Sequence, residues 1–229
     1  MINIVDKELF EYYNERATEY EAFYAGEFPT GPRRPDLYKG DTKAIQNLLP
    51  HYVQGKCVDI ACGTGFWLPY YHQNCSAITM IDQSEGVLKE TGKKIRDLNI
   101  TDKARTVQGD IFRDIPDKGS YDSALAGFII SHFRDEELAG FFNLLKETLK
   151  TSGGFIIIDS VWEDEAKTHH RDQNGMATRR LYDGRTFQIY KRYFTRDDLH
   201  KIAEKNGVKL EIAYWGEVFF LAAGNYQVH

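Results

Sequence analysis

A short glycine loop and one distant acid carry the first chemical signal in this 229-residue chain. Val58, Ile60 and Ala61 form an apolar stretch that runs straight into Ala61-Cys62-Gly63-Thr64-Gly65. Met80-Ile81-Asp82 begins fifteen residues after Gly65, and the apolar stretch 77–81 ends on the lone carboxylate of Asp82. In a βαβ unit such a loop lets a nucleoside-bearing ligand lie against bare backbone, and the acid can accept both ribose hydroxyls. The loop decides which nucleoside. A dinucleotide site wants G-x-G-x-x-G, and counting from Gly63 the third position holds Leu68, too large for the helix-against-strand contact that glycine permits. The spacing here is small-x-Gly-x-Gly, read from Ala61.

A second chemical feature is a basic segment in an acidic protein. The net charge is −5, which argues against a general nucleic-acid binder. Between 166 and 196, however, Lys167, Arg171, Arg179, Arg180, Arg185, Lys191, Arg192 and Arg196 face only Asp172 and Asp183. Asp183-Gly184 is a hairpin turn signal between strands at 178–182 and 185–194. Such a hairpin sets Arg179 and Arg180 nearly opposite 185–191, crowding like charges at a cost that an anion between them would relieve. Arginine offers a planar fork to phosphonate, phosphate or carboxylate, and lysine a point charge. The alternative is a solvated hairpin with its charges outward.

The elements that must position these groups alternate. The spacing predicts a helix over 9–23, then a loop broken by Pro29, Gly31, Pro32 and Pro35, then a helix capped by Asp41 and ended by Pro50. Strands follow at 56–61, 77–81, 104–108, 123–126 and 155–159, with helices at 65–72, from a Ser84 cap to about 98, and at 135–149. Thr195 caps a helix to Asn206 that Gly207 stops, and strands 208–214 and 217–223 close the chain around Trp215-Gly216. This order implies a doubly wound, mostly parallel seven-stranded sheet with a terminal antiparallel hairpin, an ending that dinucleotide dehydrogenases lack. One domain over 1–229 is expected, with 1–40 as a lid helix and loop and 161–194 as a basic insertion on the substrate side.

Forty-two per cent hydrophobic residues suffice for a core, and no window is apolar for the length a bilayer requires. Cys57, Cys62 and Cys75 make no C-x-x-C pair and read as small buried hydrophobes in a reducing cytoplasm. His169-His170 has no nearby cysteine, so it reads as loop and no metal site is expected.

Residues 58–67, VDIACGTGFW, resemble the first motif of class I S-adenosylmethionine-dependent methyltransferases, with Ala61 where many members have glycine. The resemblance continues in order through Asp82, Gln108-Gly109-Asp110-Ile111-Phe112, Tyr121-Asp122 and Leu149-Lys150-Thr151-Ser152-Gly153-Gly154. It implies S-adenosylmethionine as cofactor and S-adenosylhomocysteine as product, with Ala61, Gly63 and Gly65 as the cofactor loop. Asp82 would hold the ribose, Gln83 the adenine edge, and Asp110 with Ile111 the adenine amino group. Trp67, behind the loop, is read either as packing or as a contact at the methionine end. Tyr12-Tyr13-x-x-Arg16-Ala17-x-Glu19-Tyr20 resembles the lid helix of small-molecule methyltransferases, in which a Tyr and an Arg reach the cofactor carboxylate; Tyr12, Arg16 and Tyr20 take that role here. His132, after the fourth strand, stands where the family often shows a histidine, a general base or a structural residue.

The combination YYxxRAxEY, ACGTGFW, ISHFRDEEL and RxLxDGRxFxIxK is similar to a group of small-molecule O-methyltransferases that includes a phosphonate O-methyltransferase. That similarity implies Arg179 and Lys191, with Arg180, as ligands of a small anionic acceptor methylated at oxygen. Alternatives are the same chemistry on RNA or protein, which would want a wider basic surface, and a nonenzymatic S-adenosylmethionine-binding module, which would not need the lid and insertion.

Overall fold

The computed structural model describes residues 7–21, 34–162 and 172–226. Along the chain these form α1 (Lys7–Glu15), α2 (Pro35–Tyr52), β1 (Gly55–Ile60), α3 (Leu68–Tyr71), β2 (Cys75–Asp82), α4 (Glu85–Asp97), β3 (Ala104–Gln108), β4 (Tyr121–Gly127), α5 (Asp135–Thr148), β5 (Leu149–Ser160), β6 (Asn174–Arg180), β7 (Thr186–Arg192), α6 (Arg196–Lys205), β8 (Val208–Trp215) and β9 (Phe219–Tyr226). Seven strands make one sheet in the order β3-β2-β1-β4-β5-β9-β8, while β6 and β7 pair separately. The first five are parallel, and β9 and β8 run antiparallel, so the expected sheet and its closing hairpin are both present.

Alternation along the central strands sends side chains into two cores. Val58, Ile60, Ala124, Ile157 and Phe220 face α5 and α6, meeting Phe141, Leu145 and Leu199. Cys57, Leu125, Ile156, Ile158 and Leu221 face the other side, against Ile45 and Leu49 of α2 and Leu68 of α3. Both faces of a parallel sheet are thereby covered, and the strand order reverses between β1 and β4, where a crevice opens at the strands' C-terminal ends.

Several element boundaries differ from the sequence reading. The first helix ends at Glu15 and gives way to turns over residues 16–19, with Tyr20 and Glu21 helical again; Phe23, Pro29, Gly31, Pro32 and His169-His170 lie outside the described residues. The helix after the glycine loop has only the four residues of α3, followed by a 3₁₀ turn at His72–Asn74. β6 starts at Asn174, four residues earlier than expected, and the turn is closed by Gly184 N–H on the Leu181 carbonyl at 3.1 Å, with Gly184 at φ 91°. The Ser84 and Thr195 caps form as read, each side-chain oxygen accepting from a first-turn N–H. No described helix is long and apolar enough to cross a membrane.

The largest local correction is Asp41. Pro35, with its fixed φ, starts α2 at its first turn, so Asp41 lies inside the helix rather than at its cap. Its buried carboxylate accepts from Tyr214 Oη (2.8 Å), Val218 N (2.7 Å) and Phe219 N (2.9 Å), tying α2 to the turn between β8 and β9. A Cβ at Gly216 would fall 2.2 Å from Asp41 Oδ1, which is why that turn needs glycine. Asp41→Ala leaves two backbone donors without their acceptor, and should cost about 1.5–3 kcal/mol of unfolding free energy in a urea titration. A variant as stable as the parent would show that the carboxylate does not hold the closing hairpin.

Candidate active site

The crevice between β1 and β4 opens into a cavity of about 790 Å³, counting its mouth. Its floor is the loop after β1. Ala61 (φ 54°), Gly63 (φ 54°) and Gly65 (φ 69°) all take left-handed backbone there, which explains why glycine-like residues recur at alternate positions. Ala61 bears the steric cost of a Cβ in that region, of order 1–2 kcal/mol. A Cβ on Gly63 would meet nothing within 4 Å, whereas one on Gly65 would press on Met80 and Thr91. Gly63 therefore bares its backbone to the cavity, and Gly65 serves the packing of the turn.

Asp82 ends β2 at the cavity wall. Its Oδ2 accepts from Gly63 N and its Oδ1 from Ser84 N, both at 3.0 Å, so one carboxylate holds the loop after β1 and the entry of α4 together. Burial pushes its carboxyl above the usual range, and the N–H bonds oppose that shift. Each oxygen keeps a lone pair, and the group is an acceptor still short of donors. Gln83, Ile111 and Tyr20 line the same cavity. Asp110 does not. Its carboxylate accepts from Phe112 N (2.9 Å) and lies 3.5 Å from Arg113, capping the turn that presents Ile111. Trp67 is also outside the lining: it packs in the core against Phe66 and Phe128, with its Nε1 2.9 Å from where a Cβ on Gly127 would stand.

His132 sits at the far end of the cavity on a 3₁₀ turn (Ile130–His132) after β4. Its Nδ1 lies 2.7 Å from the Tyr190 carbonyl, which can only accept, so Nδ1 carries the proton. Nε2 is then the lone-pair nitrogen, and it accepts from the Tyr13 hydroxyl at 2.8 Å. Burial, with the charges of Lys191 and Arg179 nearby, pushes the imidazole well below its ordinary value. A neutral histidine with its basic nitrogen turned to a cavity can take a proton.

Tyr13 comes from α1, which lies across the hairpin as a cover. Leu9 and Tyr12 pack with Leu181 and Ile189. Glu8 accepts from Gln188 N (2.7 Å), Glu15 pairs with Arg185 (2.9 Å), and Glu19 accepts from Tyr182 N (3.1 Å). Asn14 takes the Ser84 hydroxyl at 2.8 Å, tying the cover to α4. Tyr12 and Arg16 are buried within this cover, where Arg16 donates to the Tyr12 hydroxyl and stacks on Tyr12 and Tyr20. The α1 phenol that lines the cavity is Tyr13, one residue on, beside Tyr20.

The hairpin sorts its cations by face. Gly175 pairs with Lys191 and Arg179 with Phe187, so Arg179 and Lys191 point the same way. Arg180 pairs with Thr186 on the opposite face and is exposed. Adjacent residues of a strand always face apart, a signal that was present in the sequence. The expected crowding is absent because acids from elsewhere meet the charges: Glu15 at Arg185, Asp135 at Arg192 (2.8 Å) and Asp159 at Lys191 (3.3 Å). Lys191 is buried on Asp159 and Ser131. Arg179, half-buried, has no carboxylate partner among the described residues; it reaches the Tyr193 hydroxyl at 3.4 Å.

Residues 57–153 match a protein-family model described as a methyltransferase domain. That match runs from β1 into β5, the stretch that holds the glycine loop and Asp82. An uncharacterized methyltransferase of Staphylococcus carnosus (strain TM300) is 23% identical over 219 residues, covering 94% of this chain and 98% of that protein. The fold is similar to that of DhpI in a DhpI–SAM–HEP complex (TM-score 0.75, 20% identity, 98% and 99% of the two chains) and in a DhpI–SAH complex (0.74, 21%, 96% of each). It is also similar to the glycopeptide N-methyltransferase MtfA complexed with S-adenosylmethionine (0.62, 15%, 82% and 87%).

Beneath the glycine loop, Asp59 of β1 is buried and accepts from the Tyr71 hydroxyl at 2.8 Å. Burial, opposed by that bond and reinforced by Asp82, raises its carboxyl to about 7. A raised folded-state value means that the folded protein binds the proton more tightly than the unfolded chain, so this group costs stability as the pH rises from about 4 towards 7. Asp59→Asn keeps an acceptor for Tyr71 and cannot ionise. Its stability relative to the parent should therefore improve with pH, by up to about 1.4 kcal/mol per unit in that window. Denaturant titrations at pH 5, 6 and 7 would test this, and a pH-independent difference would refute it.

Proposed function

We propose that this enzyme, an S-adenosylmethionine-dependent methyltransferase, transfers the methyl group to an oxygen of a small acidic molecule, a phosphonate or carboxylate, held between His132 and Arg179. The observation that carries the acceptor class is the inward face of the hairpin. Of its two cations, Lys191 is neutralised by Asp159, and Arg179, near His132, has no carboxylate partner among the described residues. The DhpI complexes, one with SAH and one with SAM and HEP, support a cofactor and a further ligand together in this fold.

The residues present fit the cofactor. Asp82 has free lone pairs beside the bare backbone of Gly63, the arrangement that a ribose diol requires. Gln83 and Ile111 would flank the adenine, with Asp110 acting by fixing the turn that carries Ile111. Tyr20 and Ala61 would border the same ligand. When bound, S-adenosylmethionine supplies an electrophilic methyl group. An oxyanion acceptor is already a nucleophile, and the protein's part is to align it and keep water out, which Arg179 and the α1 cover would do. For a hydroxyl acceptor, His132 Nε2 would take the proton once Tyr13 yields its place.

Asp82→Ala removes charged hydrogen bonds to the ribose, about 1.5–3 kcal/mol, and should weaken S-adenosylhomocysteine by one to two powers of ten in titration calorimetry. An unchanged Kd would remove Asp82 from the site. For the acceptor, phosphonates, carboxylic acids, phenols and amines should be screened with labelled S-adenosylmethionine. Acids are expected to accept the label, and Arg179→Ala, losing one arm of a charge-assisted contact worth about 2–5 kcal/mol, should raise KM at least tenfold with cofactor affinity unchanged. Methylation of neutral phenols or amines alone, at parental rates in Arg179→Ala, would overturn the acidic acceptor.

A further inference from the structure

Lys191 and Asp159 form a buried ion pair that none of the steps above uses. Lys191 Nζ donates to Ser131 Oγ at 2.6 Å and lies 3.3 Å from Asp159 Oδ1. The other oxygen, Asp159 Oδ2, accepts from Ser131 N at 2.9 Å, and Oδ1 also takes Ser160 N at 2.8 Å. Two members of this cluster, Ser131 and Lys191, are next in sequence to the base and to the residue that holds it. Ser131 precedes His132, and Lys191 follows Tyr190, whose carbonyl holds His132 Nδ1 at 2.7 Å. The turn that bears His132 and the strand that bears Tyr190 are thus joined by two adjacent rungs. One rung is the Asp159–Lys191–Ser131 cluster and the other is the bond to the imidazole.

We propose that Asp159 and Lys191 are positioning residues for His132: the pair locks β7 against the end of β5, keeps the Tyr190 carbonyl on Nδ1, and so leaves Nε2 facing the cavity. The proposal rests on reading His132 as the group beside the acceptor. It assigns Lys191 a task inside the protein, in place of the contact with the acceptor that the sequence resemblance implies. A buried ion pair gives little net stability over an apolar pair of the same shape, so a specific geometric role is the better reason for it here. Removing one partner alone leaves a bare charge, which makes each single variant informative in its own way. The charged and titratable groups that face the imidazole are Tyr13 from α1, Arg179 from β6 and Lys191 from β7, with Asp159 of β5 behind Ser131.

The test reads the imidazole directly. Protein labelled with ¹⁵N-histidine is saturated with S-adenosylhomocysteine, His132 is assigned by its loss in His132→Gln, and long-range ¹H–¹⁵N spectra are taken from pH 5 to 9. The parent should show a neutral ring protonated at Nδ1 throughout. In Lys191→Met and in Asp159→Asn the ring should show mixed tautomers or titrate within this range, while Lys191→Arg keeps the parental signature. S-adenosylhomocysteine affinity within threefold of the parent certifies each fold, and Asp159→Asn, which preserves volume, carries the test if Lys191→Met fails that criterion. With an acceptor from the screen, Lys191→Met should lower kcat at least tenfold and leave KM within threefold. The acid limb of its kcat/KM profile should move to higher pH, because a neighbouring cation has been removed. An unchanged ring signature in a folded variant, or a KM rise with kcat preserved, would overturn the positioning role. A failed acidic-acceptor screen would not move the spectroscopic result, so the two readings fail separately.

Discussion

The site depends on the double acceptance by Asp82. Its two oxygens take one backbone N–H from the loop after β1 and one from the entry of α4, at 3.0 Å each. Together with Cys62 N–H on the Ile81 carbonyl (3.0 Å), that acceptor fixes the direction of the left-handed run through Ala61, Gly63 and Gly65 against the neighbouring strand. The parallel register of β1 with β2 brings this about, because Ile60 pairs with Ile81 and Asp82 thereby follows beside the loop that leaves β1. Sheet register, loop conformation and the placement of a lone-pair acceptor are one constraint seen at three scales. A carboxylate placed there is expensive to bury, and the cost is offset only by donors, from the backbone first and then from whatever enters the cavity.

Much of this was legible in the sequence because its signals are local. The run of small residues, the acid ending an apolar stretch, the Ser84 and Thr195 caps and the Asp183-Gly184 turn are all decided within a few residues by sterics or by a single hydrogen bond. Asp41 was misread for the opposite reason. An acid after a loop looks like a helix cap, and its partners Tyr214, Val218 and Phe219 lie more than 170 residues away, where no local rule reaches. The same separation hid the acids that neutralise the basic hairpin, since Glu15, Asp135 and Asp159 come from three different elements.

Other differences are matters of phase. Tyr12 and Tyr13 are both aromatic, and the resemblance to a lid helix put the functional weight on Tyr12, yet a step of one residue on α1 turns Tyr13 to His132 and Tyr12 to the hairpin's apolar residues. Arg179 and Arg180 are likewise a single step apart on a strand and end on opposite faces. Phe128 gave no sequence signal of its own, and it lines the cavity with φ 61°, a conformation rare for a bulky side chain, packed edge-on to Phe219. Such an angle persists only where surrounding packing enforces it, and it clusters with the left-handed Ala61 at the same end of the sheet.

The cover meets the hairpin through pairs that are remote along the chain, Glu8 with Gln188, Glu15 with Arg185 and Glu19 with Tyr182, separated by 180, 170 and 163 positions, and it meets the turn after β4 through Tyr13 with His132, 119 positions apart. Neither segment contributes a strand to the seven-stranded sheet. Contacts of such long range close large loops at an entropic cost, and most of these are exposed hydrogen bonds or ion pairs of small individual worth. The mouth of the cavity is therefore walled by segments whose own ladder is separate from that of the sheet, held by a small apolar cluster and by exposed contacts of the kind that open locally at the least cost.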